Sequence, residues 1–414
     1  MVTPAELLAE EANWALLQQL QLQVGGTEWT GGDWQQLGEY LRESGTSGAL
    51  AAAITSQLAL RGEAEAKFGD SASHMLLTRD GLEQATRFAI AFLHAARFRA
   101  CGVTSVADLG CGIGADAVAL ATSGIRVLAV DRDPAAVACA AANLRPFPQS
   151  QVIRGDIADV SPGWLAQKGV EAIFLDPARR TEGRRIFDPQ KWSPSWSRVR
   201  EIFSWDFPTG VKMAPGISHA DLNFGGHAQW VSDGGDLVEA LLWSDHLRPA
   251  PGGRSALLLR EGKQHLLSDP NISAASSAEP AAPTGALNQF LFEPDPSIIR
   301  SGNLAYLAEK TDTHTIHPRI AYLSADSLPS SPFLTPFKVD ALTSLRKKAI
   351  VQELLALDAG FVEVKKRGAQ IDPNRLQREL QAGLDRSSKN SFVVFATRVG
   401  KEHKAVIASR IPEH

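Results

Sequence analysis

Val106-Ala-Asp-Leu-Gly-Cys-Gly-Ile-Gly-Ala-Asp116 is a short apolar run that breaks into three alternate glycines and then opens a helical pattern. A buried strand feeding a glycine loop and a helix is the form of a nucleotide-type cofactor site in an α/β sheet. Gly110, Gly112 and Gly114 carry no Cβ to hold a ligand off the backbone. They also permit the positive-φ turns needed between strand and helix. About twenty residues on, where the partner acid of such a loop belongs, a second apolar run, Arg126-Val-Leu-Ala-Val130, ends in Asp131. A carboxylate there can accept both hydroxyls of a ribose.

The glycine spacing separates two cofactor classes. Dinucleotide enzymes use G-x-G-x-x-G, with the pyrophosphate on the N-terminus of the first helix. This loop is G-x-G-x-G with Asp116 close behind, so a pyrophosphate would meet a carboxylate, whereas a cationic sulfonium with an amino-acid tail suits it. On these residues the chain resembles the class I S-adenosylmethionine-dependent methyltransferases, whose first motif reads D-x-G-x-G-x-G. The resemblance implies that Asp108, Gly110, Gly112 and Gly114 cradle the amino-acid part of S-adenosylmethionine and that Asp131 takes the ribose. It also implies that Asp156, in Val152-Ile-Arg-Gly-Asp156, takes the adenine amine. A fourth strand, Val170-Glu-Ala-Ile-Phe-Leu175, ends in Asp176-Pro-Ala-Arg-Arg180. Ligands of open parallel sheets bind beyond the carboxyl ends of the strands, so Asp108, Asp131, Asp156 and Asp176 are expected to face one crevice.

Methyl transfer from a sulfonium is an in-line displacement and needs a nucleophile held with its lone pair along the S–C axis. Enzymes that methylate exocyclic or ring nitrogens often place Asp or Asn before Pro-Pro-aromatic at this strand end. Asp176-Pro177 matches the first half; Ala178 and Arg179 replace the second proline and the aromatic. Asp176 with Arg179 is therefore expected to orient an acceptor nitrogen, and the Arg179-Arg180 pair to hold a phosphate or stack on a base. A second constellation, Lys67, Asp176, Lys212 and Glu239, follows the order found in ribose 2′-O-methyltransferases, where a lysine helps deprotonate the hydroxyl. Lys212 lies inside the apolar run Val211-Lys-Met-Ala-Pro-Gly216, and a charge there needs a buried partner or a chemical task. The bland alternative is a pairing of Lys212 with Glu239 across adjacent strands. Pyrimidine carbon methylation requires a cysteine nucleophile, and the one candidate, Cys111 in the glycine loop, reads as a small packing residue.

The chain has 414 residues, 44% of them hydrophobic, enough for two or three domains. A net charge of −4 excludes a polycation that binds nucleic acid by bulk electrostatics. Cys101, Cys111 and Cys139 show no metal or disulfide spacing, and His314 and His317 have no acidic partner at ligand spacing, so no metal is expected. The N-terminal residues lack a basic start before an apolar core, and no apolar run approaches membrane-spanning length. The expectation is a cytoplasmic protein with no membrane partner; its oligomeric state is not legible.

Helical periodicity runs from about residue 5 to 100, ending in one helix from Arg79 to Arg99. Lys67-Phe-Gly69 and Met75-Leu-Leu-Thr78, before it, are candidate lid segments over the cofactor. The α/β core closes with Asp236–Trp243 and Arg254–Arg260, the last expected to be antiparallel. Trp192, Trp196 and Trp205, after the Asp-Pro-Ala-Arg-Arg element, are expected to pack rather than line a pocket. From about Ser268 to Leu287 the chain is Ser-, Ala- and Pro-rich and reads as a flexible linker. A smaller α/β unit follows, with a helix at about Val339–Leu357 and strands at 361–364, 391–396 and 405–408.

Phe292-Glu-Pro-Asp-Pro296, His317-Pro-Arg-Ile-Ala-Tyr322 and Val364-Lys-Lys-Arg-Gly368 resemble the bacterial class I methyltransferases that carry a C-terminal THUMP-like domain. The resemblance implies a Rossmann-like, seven-stranded α/β core (79–265) behind a helical N-terminal region (1–78). A linker (266–286) and a small α/β THUMP-like domain (287–414) complete it. THUMP domains bind RNA, so RNA is the implied partner. Lys338 to the end is locally basic, near +6, and Lys365, Lys366 and Arg367 stand at a strand end where they can meet phosphates. The expected activity is methyl transfer to RNA, at a base nitrogen, with the ribose 2′-hydroxyl as the alternative. Two other readings stay open: a non-catalytic protein binding S-adenosylmethionine and RNA, and a methyltransferase of a protein or small molecule.

Overall fold

The computed structural model describes residues 2–24, 31–177, 180–181, 184–185, 194–223, 225–275 and 280–411. The chain divides into two compact units, Met1–Met213 with Leu242–Pro249, and Ala214–Leu241 with Ala250–His414.

Among the described residues the first unit opens with α-helices α1 (Pro4–Ala9), α2 (Glu11–Val24), α3 (Gly31–Glu43), α4 (Gly48–Phe68), α5 (Arg79–Gln84) and α6 (Phe88–Ala100). Thr3 and Glu6 form a reciprocal capping box at α1, with Pro4 where its missing N–H costs nothing. Leu8, Leu17, Leu41, Ile54, Leu58 and Phe68 bury into one core with Ile113, Ala119 and Cys139. At about 1.5–3 kcal/mol per buried large apolar side chain, that shared core makes the front end part of the α/β body.

The α/β part follows as β1 (Ser105–Leu109), α7 (Ala115–Thr122), β2 (Arg126–Asp131), α8 (Pro134–Asn143), β3 (Gln151–Arg154), α9 (Pro162–Gln167) and β4 (Ala172–Leu175). A two-stranded ribbon of β5 (Arg180–Thr181) and β6 (Arg184–Arg185), helix α10 (Trp196–Phe203) and β7 (Thr209–Met213) complete it. These strands lie in the order β7-β4-β1-β2-β3, each parallel to its neighbour. All residues of β1, β4 and β7 are buried, as in parallel strands covered on both faces.

The helix expected over Arg79–Arg99 is broken. Ala85 and Arg87 are extended, at ψ 143° and 141°. The Lys67 ammonium donates to the carbonyls of Leu82, Glu83 and Ala85 at 2.5, 2.9 and 3.3 Å, which satisfies the orphan acceptors where α5 stops. The second candidate lid segment is buried: Met75, Leu76 and Leu77 are at most 4% exposed. Asn143 accepts from Leu76 N–H at 2.6 Å and donates to the carbonyls of Leu76 and Ile113 at 3.0 and 2.8 Å. Its amide thereby ties this segment to the glycine loop.

In the second unit, β8 (His227–Asp233), β9 (Asp236–Trp243, its last two residues in the first unit), β10 (Arg254–Arg260) and β11 (Lys263–Leu267) follow the order β11-β10-β8-β9. Gly234 and Gly235, at φ 59° and 91°, form the two-residue turn between β8 and β9, a mirror-image turn open to glycine. Strand β10, expected to close the sheet antiparallel, runs parallel to β8 and antiparallel to the further strand β11.

The tail carries β12 (Phe290–Pro294), α11 (Pro296–Ser301), α12 (Leu304–Lys310), β13 (His314–His317), β14 (Ile320–Ala325), β15 (Leu334–Ser344), α13 (Lys347–Ala356), β16 (Ala359–Lys366), α14 (Pro373–Gln381), β17 (Asn390–Val399) and β18 (Glu402–Arg410). Its strands form a seven-stranded sheet, β13-β14-β12-β15-β18-β17-β16. The helix expected from Val339 begins only at Lys347, because Val339–Ser344 pair with β18. The stretch read as a linker is anchored where described. Ile272 and Ala274 are buried, Gly253 N–H donates to the Ile272 carbonyl, and Thr284 bridges to Thr315.

Candidate active site

Parallel pairing brings the ends of β1, β2 and β4 side by side, and the glycine loop is hung on them. The N–H groups of Gly110 and Cys111 donate to the Val130 carbonyl at 2.8 and 3.2 Å. Gly112 N–H donates to Asp131 Oδ2 at 2.9 Å, and Asp133 N–H to Asp131 Oδ1 at 2.9 Å, so the Asp131 carboxylate is aimed by the backbone on both sides. Gly110 has φ 84°, and a Cβ there would stand 2.6 Å from the Asp176 carbonyl oxygen. At Gly112, φ is 56° and a Cβ would meet nothing within 4 Å: the loop is open on that side. Gly114 caps α7 in the left-handed region. Asp156 caps the turn after β3, its Oδ1 accepting from Ala158 N–H at 2.9 Å.

Asp108 is 1% exposed, and neither of its carboxylate oxygens meets a hydrogen-bond partner. Burial, and then the neighbouring Asp116 and Asp176 carboxylates, push its carboxyl well above the ordinary range. An unsatisfied buried carboxylate is costly, and a cationic donor arriving at the glycine loop relieves it. The loop without Cβ atoms, the orphaned Asp108 and the tethered Asp131 thus fit a cofactor that combines an ammonium tail with a ribose.

Asp176 stands at the end of β4, where its N–H donates to the Leu109 carbonyl. Its Oδ2 accepts from Lys212 Nζ at 2.7 Å, with side chains 25% and 7% exposed. Lys212 also donates to Thr86 Oγ1 at 2.7 Å, Thr86 Oγ1 donates to Asp116 Oδ2 at 2.7 Å, and His94 Nδ1 lies 2.7 Å from Asp116 Oδ1. Burial alone would raise the Asp116 carboxyl; His94, Lys212 and Thr86 outweigh it and hold it low.

The lysine and carboxylate expected from the sequence therefore meet. Lys67 is engaged by the carbonyls at the end of α5, and Glu239 is buried in β9 of the second unit. Arg179 and Trp192 lie outside the described residues, and of Arg180 only the backbone in β5 is described. Trp196 is buried, and Trp205 carries the Arg198 guanidinium 5.1 Å over its ring. Cys111 is buried, with its thiol pushed up by burial and by Asp108 and Asp131, the state of a packing residue rather than a nucleophile.

In the tail, Lys365 pairs with Glu293, and Arg367 donates to the Ala321 carbonyl at 2.5 Å with its guanidinium 4.7 Å over the Tyr322 ring. Lys366 is exposed and donates to the Ile371 carbonyl at 2.7 Å. Sequence reasoning missed Thr86 and His94 altogether and read Asp116 only as a repulsion for pyrophosphate. The one available signal for His94 was a histidine on the apolar face of a helix that also carries Ile90, Ala91 and Phe98.

Comparison with known proteins agrees with this geometry. Residues 106–176 match the model of a methyltransferase domain, and residues 334–410 that of a THUMP domain-like family. S-adenosylmethionine-dependent methyltransferases from two strains of Mycobacterium tuberculosis are 31% identical over 350 residues, 82% of this chain and 91% of theirs. The crystal structure of a protein assigned as a methyltransferase from Porphyromonas gingivalis superposes with a TM-score of 0.70 at 17% identity, over 94% of this chain and 100% of that one, which shows the common fold. With a glycine loop and strand-end acids that fit the cofactor and a relative matched along most of its length, the chain belongs to the S-adenosylmethionine-dependent methyltransferases, a methyl-group transferase with S-adenosylmethionine as its cofactor.

Proposed function

We propose that the protein methylates a nitrogen of an RNA base, with Asp176 as the residue that receives the acceptor's N–H. The observation that carries this reading is the 2.7 Å pair of Asp176 Oδ2 with Lys212 Nζ beside the glycine loop. When bound, S-adenosylmethionine would supply an electrophilic methyl carbon, with its sulfur leaving as a neutral thioether. A base nitrogen has to present its lone pair to that carbon and release one proton as the new N–C bond forms. Lys212 binds Oδ2 of Asp176 and leaves Oδ1 of a quarter-exposed side chain to accept a hydrogen bond from the amine and then its proton. Gly110, against the Asp176 carbonyl, sets the distance between cofactor loop and acceptor loop.

A ribose hydroxyl is less well served. Its deprotonation calls for an unprotonated lysine, whereas Lys212 is an ammonium held in an ion pair and Lys67 donates to three backbone carbonyls. RNA as the acceptor is supported by the THUMP-like match over residues 334–410 and by the basic charge of the same stretch. Lys366 is the member of the Lys-Lys-Arg run most available to a phosphate, since its neighbours turn to Glu293 and Ala321.

The test is transfer of radiolabelled methyl from S-adenosylmethionine to total RNA, beside total protein and a small-molecule extract, followed by digestion to nucleosides. Label on a base supports the reading. Label on ribose, or in the protein or metabolite fraction alone, replaces the acceptor, and no label in any fraction despite cofactor binding favours a binding protein.

A further inference from the structure

We propose that Thr86, Asp116 and His94 are positioning residues: a buried hydrogen-bond chain from the helical front end that fixes the Lys212 ammonium, and through it Asp176, in the transfer geometry. The inference rests on the assignment of Asp176 and Lys212 made above, and adds Thr86 and His94, which precede the cofactor motifs and are joined through Asp116 just behind the glycine loop.

The polarity of the chain is forced by donor chemistry. An ammonium can only donate and an ionised carboxylate can only accept. Lys212 therefore donates a hydrogen bond to the lone pair of Thr86 Oγ1, and the single hydroxyl hydrogen of Thr86 is donated to Asp116 Oδ2. Asp116 Oδ1 then takes the N–H of His94 Nδ1, which fixes the imidazole tautomer. His94 is 1% exposed and is walled by Phe174, ring centroids 5.0 Å apart, and by Trp243 at 6.4 Å. Thr86, Asp116 and Lys212 are each at most 7% exposed. Water has little access to substitute for a lost bond, so each group's orientation depends on the next.

The fold is shaped to deliver Thr86 to this place. It sits in the extended break between α5 and α6, where a continuous helix would have turned it into the helical ladder. The Lys67 ammonium stabilises that break by capping the end of α5. Gly81 lets α5 approach the cofactor loop, since a Cβ there would overlap Ile113 at 2.2 Å. The front end thus contributes two side chains to the acceptor half of the site.

Two readouts decide the proposal. In protein labelled with ¹⁵N-lysine, the Lys212 ammonium, identified by its loss in Lys212→Met, should exchange slowly with solvent. That protection should disappear in Thr86→Val and return in Thr86→Ser. In the RNA transfer assay, Thr86→Val should lose at least tenfold in kcat with its affinity for S-adenosylmethionine within twofold of the parent, and Thr86→Ser should regain most of the loss, as expected for one charged hydrogen bond. A Lys212 signal that exchanges like a surface lysine in the parent protein overturns the proposal even if Thr86→Val does not fold. So does full activity in Thr86→Val, or a serine variant no better than valine. Absence of transfer to RNA by the parent removes the acceptor assignment, while the exchange measurement still decides the chain.

Discussion

Asp108 shows most directly how this site trades stability for binding. Its carboxyl is raised by burial and by Asp116 and Asp176, so between the ordinary carboxylate range and its elevated value the folded protein holds a proton that the unfolded chain has released. Stability of the ligand-free protein should therefore fall as pH rises through that window, by about 1.4 kcal/mol per pH unit for one proton. Asp108→Asn should flatten that slope in urea titrations at pH 5 and 7 while weakening cofactor binding; an unchanged slope would contradict the assignment. Asp131→Ala, which removes a carboxylate braced by two backbone N–H groups, should weaken S-adenosylmethionine by at least about tenfold, or ~1.4 kcal/mol, in calorimetry. Asp108, Asp131, Asp156 and Asp176 were legible because each stands at a strand end. Thr86 and His94 were not: their partners lie 126 and 22 residues away in sequence, and no local pattern links them.

At the scale of elements, the break between α5 and α6 separates the two readings of Lys67. As a cap on the carbonyls of Leu82, Glu83 and Ala85, Lys67 contributes to folding rather than chemistry. Lys67→Met should cost roughly 1–3 kcal/mol in denaturant unfolding and leave kcat within a few-fold. A loss of about a hundredfold or more, the scale of a removed general base, would restore the ribose reading. Periodicity revealed β1 to β4 because continuous apolar runs bounded by glycine and aspartate have one economical interpretation. It missed β8 because His227, Gln229 and Ser232 interrupt the pattern. They are nonetheless buried, with His227 bonded to Ser255 at 2.8 Å and Ser232 to Asp295 at 2.6 Å. Helix α13 was extended too far N-terminally because Val339, Leu342 and Leu345 also satisfy helical spacing, while the long-range pairing with β18 that claims the first two is invisible locally.

Over the whole molecule, the chain carries −4 while its last part is near +6, so any RNA contact must be regional. If the THUMP-like domain supplies about two or three phosphate contacts, raising salt from about 50 to 200 mM should weaken RNA binding roughly tenfold. Binding indifferent to salt would place the contact elsewhere. Composition read the stretch 266–286 as a linker because hardly a large side chain stands between Asn271 and Gly285, yet backbone bonds and the buried residues Ile272 and Ala274 hold its described part. Among the described residues no helix is long and apolar enough to cross a membrane.

The central claim is that Asp176 acts on the acceptor and not on the cofactor. Calorimetry with S-adenosylmethionine and radiolabelled transfer to total RNA, run side by side on the parent and on Asp176→Ala, test it. Cofactor affinity within about twofold and transfer reduced by at least about a hundredfold is the predicted result. Transfer at the parent rate, or a loss fully explained by weaker cofactor binding, would contradict it.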